Sequence, residues 1–363
     1  MDFYFPIADI VFNPWMILGL GIGIGFLSGL FGVGTGILIT PVLLLLGFPG
    51  RIAVASQLSA SIGANFSGFL SYGNRKDVDY ALGFYLIFGG LLGAFTEFYI
   101  LKALQNVSPY SVIRIVCSFV LIFLSLIMFY QTIKSLLSDP QKERSVTMKK
   151  WMIYIPFHRV FLRSRTEISI LVPIVVGFIT GILTMSLGGG VNIMMMPILT
   201  YLIGRISPCV TGTSFFVAFV ICFSITLLHG VGTAPVDFYL VVFLSLSTSI
   251  GSKLGILASK HCAKSFIGLL GAVIVLFLGI RTLLDVLKQQ TRRPKIVLNN
   301  GVTHYIKELV ETMPEDISWL AKKTLLFAHQ DIASYCAVCI IASILIAFIV
   351  EKILNFLLFK KEI

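Results

Sequence analysis

The sequence predicts an all-α polytopic membrane protein built from two homologous halves, each led by a glycine-broken helix. Three observations predict it. Mean hydropathy is +0.95. Hydrophobic residues make up 57% of the 363 residues and charged residues 12%, about half the usual charged share. A soluble chain of this size has too few interior positions to hide that much apolar surface. Apolar runs long enough to cross a bilayer, which takes ~20 residues, recur along the whole length. The third observation is an internal repeat.

The runs fall near 52–72, 79–101, 109–137, 207–229, 235–259, 265–288 and 332–358. Two more, 14–47 and 168–203, are longer and glycine-rich. A continuous helix over 14–47 would measure ~51 Å at ~1.5 Å per residue, against a ~30 Å hydrocarbon core. Each long run is therefore expected to tilt, break or fold back. The N-terminus carries Asp2 and Asp9 before Pro14 and no Lys or Arg, so it lacks the basic region of a cleavable signal peptide.

The net charge of +11 comes largely from Lys142 to Arg165 and Arg281 to Lys323. Basic segments flanking spans read as cytoplasmic charge bias and lipid-headgroup contact, with no nucleic-acid partner. Cys336 and Cys339 form a C-x-x-C inside the last apolar run with no second pair, which reads as small buried hydrophobes. No metal or cofactor is expected.

At an offset of 156 residues, Gly21, Gly25, Gly32, Gly34, Pro41, Leu43 and Val54 fall on Gly177, Gly181, Gly188, Gly190, Pro197, Leu199 and Val210. Two residues further out of phase, Val78-Asp79 meets Val236-Asp237 and Gly93 meets Gly251. An ordered series of that length marks a duplication. The expected organisation is repeat 1 over 14–137, a basic linker over 138–167, repeat 2 over 168–288, a polar insertion over 289–330 and an extra helix over 331–359. With each leading run as a re-entrant hairpin, the halves are inverted, about 8–9 spans are expected, and the acidic N-terminus faces outside. Arg75-Lys76, Lys260 and Lys360-Lys361 then fall inside with the basic linker, whereas the 289–330 insertion sits outside against its charge. Four full crossings per half would instead make the halves parallel, with Lys260 and Lys360-Lys361 outside.

The candidate site lies at the breaks. Gly32, Gly34, Thr35 and Gly36 precede Pro41 in one half; Gly188, Gly189, Gly190 and Asn192 precede Pro197 in the other. Each glycine weakens a helix by ~1 kcal/mol relative to alanine, so both helices are expected to open there. A restarted helix aims unpaired N–H groups and the positive end of its dipole inward. Two such half-helices facing each other make a midplane anion site. Gly21, Gly25 and Gly29 instead have the spacing of a close-packed seam. Gln57, Thr213 and Ser214 follow the breaks and offer polar groups to a small oxyanion, with helix–helix bonding as the bland role. Lys253 sits inside a span, either as counter-charge to the anion or snorkelling to the membrane edge. Glu97, near the corresponding depth of the first half, is the candidate to pair with Lys253 or to carry a coupled proton. His229, at a span's end, is either interfacial or a proton relay; Pro41 and Pro197 are the further gating candidates.

These residues resemble the TauE/SafE family of sulfite and organosulfur anion exporters. The likeness rests on Gly29-Leu30-Phe31-Gly32-Val33-Gly34 leading to Thr40-Pro41, on Gly188-Gly189-Gly190 leading to Met196-Pro197, on Val210-Thr211-Gly212-Thr213-Ser214-Phe215 and on the two Val-Asp pairs. It covers roughly residues 4–288. Thr35 interrupts the first glycine run where the family tends toward GVGGG, and the last 70-odd residues exceed the usual length. The resemblance implies a carrier of the bacterial inner membrane for sulfite, sulfoacetate or thiosulfate. An anion channel and a carrier for a non-sulfur organic anion are the alternatives. No nucleophile–base pair or H-E-x-x-H motif points to an enzyme. The expected partners are the anion and the lipid bilayer, and the sequence is compatible with a homo-oligomer.

Overall fold

The computed structural model describes residues 3–31, 35–73, 78–103, 158–161, 166–188, 208–233, 235–259 and 319–359, with scattered helical positions within 118–133, 191–195 and 269–284. Among them lie nine α-helices and two β-hairpins. In chain order these are β1 (Phe3–Phe5), β2 (Ile10–Phe12), α1 (Pro14–Phe31), α2 (Gly36–Leu45), α3 (Gly50–Gly73) and α4 (Tyr80–Ala103). Then come β3 (His158–Phe161), β4 (Thr166–Ser169), α5 (Leu171–Leu187), α6 (Pro208–Leu228), α7 (Phe238–Ser259), α8 (Trp319–Gln330) and α9 (Ile332–Phe359). A π-helical turn, His229–Thr233, extends α6.

The chain is a helical membrane protein. Four of these helices are long and apolar enough to cross a bilayer: Tyr80–Ile100, Cys209–Leu228, Phe238–Ala258 and Ile332–Leu354. Pro14–Leu30 and Leu171–Met185 are shorter and equally apolar. α3 has the length but carries Ser56, Gln57, Ser59, Ser61 and Asn65, all buried, because it runs through the middle of the bundle rather than along its lipid face. The expected spans 109–137 and 265–288 fall almost wholly outside the described residues.

Contacts in order along the helices fix their directions. Gly25 lies against Thr248 and Gly29 against Ser252, while Gly255 meets Leu30, so α1 and α7 run parallel. Gly89 meets Ile174 and Gly93 meets Phe178 and Ile182, so α4 and α5 also run parallel. An added Cβ at Gly25 would stand 2.8 Å from the Thr248 carbonyl oxygen. Only glycine lets the backbones come this close, as the seam reading of Gly21, Gly25 and Gly29 required.

α3 and α6 run antiparallel. Phe66 stacks near Phe219, Phe69 near Phe216 and Tyr72 near Phe215, with ring centroids 5.2, 5.3 and 5.9 Å apart. α7 and α9 run alongside α3 in the same direction: Asp237 meets Ser56, then Ser245 and Gly63 both bond the Ser343 hydroxyl at 2.9 and 3.1 Å, and further along Lys253 and Ser67 both bond Glu351. α4 keeps pace with α6, since Asp79 N–H donates to Thr213 Oγ1 at 2.9 Å and Gly83 and Gly90 face Phe216 and Ile221. The bundle is thus two interlocked sheaves, α1–α3–α7–α9 and α4–α5–α6, pointing opposite ways.

Both hairpins depart from the all-helical expectation. β1 pairs with β2 and β3 with β4, antiparallel, each ending just before a leading helix. Phe3-Tyr4-Phe5, Ile10-Val11-Phe12 and His158-Arg159-Val160-Phe161 are rich in aromatic and β-branched residues, which favour pleated strands. Strands of three and four residues are too short to register as a pattern beside 20-residue apolar runs. α8 is a helix inside the stretch expected to be a polar insertion.

Candidate functional site

The first leading run breaks between Phe31 and Gly36, as its length required. α2 then folds back along α1: Ile39, Val42, Leu43 and Leu46 face Ile17, Leu20, Gly21 and Ile24 across a narrow apolar gap. After α2, Phe48 meets Phe5 and Phe12 at centroid distances of 5.8 and 5.9 Å, back at the end where α1 begins. α2 has 10 residues, so it rises ~15 Å. Its N-terminus therefore stands about halfway into a ~30 Å hydrocarbon core.

Among the described residues, the N-cap side chain leaves that N-terminus uncapped. Thr35 occupies the N-cap position, is buried, and makes no capping bond. The Thr35 carbonyl receives its helical bond from Ile39 N–H at 3.1 Å. The N–H groups of Gly36, Ile37 and Leu38 precede that bond and point out of the helix end, the arrangement that attracts an anion. Pro41 lies within α2, one residue beyond Thr40, whose hydroxyl donates to Gly36 O at 3.1 Å.

The second break arrives from the other sheaf. α5 ends at Gly188, which adopts φ 78° and ψ 25° and donates its N–H to Thr184 O at 3.0 Å. This left-handed cap stops the helix against α2 and α3: a Cβ on Gly188 would stand 2.6 Å from Thr40 Oγ1 and 3.1 Å from Val54 Cα. One turn deeper along α2 lies Gly36, and one turn deeper along α3 lies Gln57. Gln57 is wholly buried; its amide nitrogen donates to Ser61 Oγ at 2.9 Å, while Oε1 has no protein partner. An amide can be turned end for end, so one end bonds Ser61 while the other has no partner among the described residues.

The other sequence candidates separate into groups. Gly32, Gly34, Gly189, Gly190, Asn192 and Pro197 lie outside the described residues. Thr213 is buried, but its hydroxyl donates to Cys209 O at 2.7 Å and accepts from Asp79 N. Ser214 donates to Thr211 O at 2.8 Å. His229 stands beside the second break, its Nε2 3.2 Å from Met185 O.

Lys253 does not reach toward Glu97. Phe98, beside Glu97, packs on Gly232 just ahead of α7, whereas Lys253 is 15 residues into α7, ~22 Å along the helix axis. Lys253 Nζ instead donates to the main-chain oxygen of Glu351 at 3.0 Å, and Ser67 Oγ donates to the Glu351 carboxylate at 3.0 Å. The last helix thus supplies a buried acid opposite Lys253. Sequence spacing could not show this, because 98 residues separate the pair.

The Val-Asp pairs prove to be junctions. Asp237 is fully buried; one carboxylate oxygen accepts Ile7 N–H and Ala8 N–H at 3.0 and 3.1 Å, the other accepts Tyr239 N–H and Leu240 N–H at 3.1 and 3.2 Å. The Asp237 N–H donates to Ser56 Oγ at 2.9 Å, beside Gln57. Asp79 likewise caps α4 through Leu82 N–H at 3.2 Å and bonds Thr213.

Comparison with known proteins places this geometry. The model of the sulfite exporter TauE/SafE family matches residues 17–296. The chain belongs to that family. A probable membrane transporter protein, YjnA of Bacillus subtilis (strain 168), is 26% identical over 252 residues, 69% of this chain and 90% of the relative. No solved structure matches. The family assignment makes this TauE/SafE protein a membrane transporter. The matched region stops short of α8 and α9, so Glu351 stands outside it.

Proposed function

We propose that this TauE/SafE protein is a secondary transporter that moves a small sulfur-containing anion, of the sulfite, sulfoacetate or thiosulfate class, across the bacterial inner membrane by alternating access. The observation that carries the reading is the uncapped N-terminus of α2, half-way into the bundle, beside the buried Gln57 amide with one end unpartnered. Main-chain N–H groups and a positive dipole end bind an oxyanion without a full countercharge. That makes release on the far side feasible. Lys253, held by α9, sets the electrostatic field at the other end of α7 rather than touching the ligand.

The two halves, 14–137 and 168–288, form inverted repeats in this reading, joined by the 138–167 linker. Several reciprocal features support it. Helices α3 and α6, which correspond, run antiparallel; α1 packs on α7 as α5 packs on α4; the Ser56–Asp237 bond mirrors the Thr213–Asp79 bond. A two-fold axis in the membrane plane produces all three. Such symmetry permits two equivalent arrangements that open to opposite sides.

The test is a thermal-shift screen of the purified protein with sulfite, sulfate, thiosulfate, sulfoacetate and carboxylates, followed by flux into liposomes. Sulfite-class anions are expected to stabilise the protein and to move saturably, with Gly190→Leu and Gln57→Leu losing both effects. Absence of flux and of any anion-dependent stabilisation would sink the proposal.

A further inference from the structure

We propose that the N-terminal hairpin, residues 3–12, is a gate over the C-terminal end of α2 and the start of α3, latched shut by Asp237. The inference rests on the transporter reading above and gives a role to the Val-Asp motif, which that reading leaves unused.

The hairpin is inserted rather than merely apposed. Phe5, Ile7 and Ala8 are at most 1% exposed. Phe3 packs against Tyr239 and Phe243 of α7, with centroids 5.0 and 5.8 Å away, and Phe5 and Phe12 close over Phe48. The turn is shaped for its latch. Asp9 takes a left-handed φ of 51°, costly for a side-chain-bearing residue though tolerated by Asp, and the Tyr4 hydroxyl donates to it at 2.8 Å. That turn points Ile7 N–H and Ala8 N–H at one oxygen of Asp237.

The latch is wired to the site. The same aspartate bonds Ser56 through its main-chain N–H, next to Gln57, and Phe48 closes α2, the half-helix whose start faces the ligand. Opening the hairpin therefore frees the end of α2 and the first turns of α3 together. The second hairpin sits at the opposite end of the bundle, where Arg159 donates to the Tyr85 hydroxyl at 2.6 Å and buried Ile168 packs among the α4 and α6 core residues. Alternating access needs one closure at each end.

The test uses the full chain without its six native cysteines. In one variant Phe3→Cys and Tyr239→Cys are bridged by a short bis-maleimide, whose thioethers sulfite does not cleave; in another Arg159→Cys and Tyr85→Cys are bridged. Each bridge is expected to cut sulfite flux in liposomes at least tenfold relative to the same unbridged pair. Flux that survives either bridge overturns the gate. A chain that moves no anion even unbridged counts instead against the transporter reading. A second measurement does not depend on flux: labelling of Phe48→Cys by a membrane-impermeant maleimide. Asp237→Asn, which replaces one acceptor oxygen of the latch by a donor, is expected to speed it about tenfold, and the Phe3–Tyr239 bridge to stop it. Equal labelling in Asp237→Asn and its parent overturns the latch. If the cysteine-free chain does not fold, amide exchange of the native-cysteine protein reads the same point: Ile7 and Ala8 must exchange faster in Asp237→Asn while the middle of α7 stays protected.

Discussion

Gly188 shows at the scale of one residue what the glycine clusters are for. Its positive φ and its contact with Thr40 leave no place for a Cβ. Gly188→Ala is expected to cost ~1–2 kcal/mol from the left-handed backbone alone, more with the Thr40 clash, read as a lower unfolding midpoint in detergent. Gln57 should behave the opposite way. A buried amide with one end unpartnered costs ~1–3 kcal/mol, so Gln57→Leu is expected to leave stability equal or up to ~2 kcal/mol higher while abolishing sulfite-dependent stabilisation. A loss of stability without loss of the sulfite effect would assign Gln57 to packing. Gln57 was legible in the sequence as a polar residue after a break. The roles of Thr213 and Ser214 were not, because a hydroxyl inside a span looks the same whether it holds a ligand or a helix.

Among elements, the seams separate glycines that pack from glycines that do not. Nothing lies within 4 Å of a Cβ at Gly19 or Gly23, whereas Gly25 and Gly181 abut main-chain atoms of the neighbouring helix. Alanine at Gly19 or Gly23 should be neutral or stabilise by up to ~1 kcal/mol; alanine at Gly25 or Gly181 should destabilise by ~1–3 kcal/mol. Unfolding midpoints of the four variants check this directly. The last helix gives a second contrast. If Lys253 anchors α9, Lys253→Ala loosens that helix by about 1 kcal/mol, seen as faster proteolysis of α9, yet keeps anion-dependent stabilisation. Loss of the anion effect would return Lys253 to the binding site. The packing glycines were readable from their four-residue spacing; the partner of Lys253 was not, since α9 lies beyond the repeat.

The whole molecule turns on the opposed sheaves. If the halves are inverted repeats, as proposed, the two hairpins lie on opposite sides of the membrane, so Val11→Cys and Arg159→Cys should label from opposite faces of intact cells, Val11→Cys from outside. Labelling of both from one side would mean that the halves are parallel. Composition, span length and the 156-residue offset between Pro41 and Pro197 by themselves determined a membrane protein with two glycine-broken leading helices, because lipid imposes those lengths and hydropathies on any helix it holds. Tertiary structure alone decided that α2 folds back to place its open end inside the bundle. It also decided that Lys253 answers Glu351 instead of Glu97, and that the second Val-Asp pair, through Asp237, seizes the N-terminal hairpin. Those outcomes depend on which distant segments meet, and neither hydropathy nor glycine spacing carries that information.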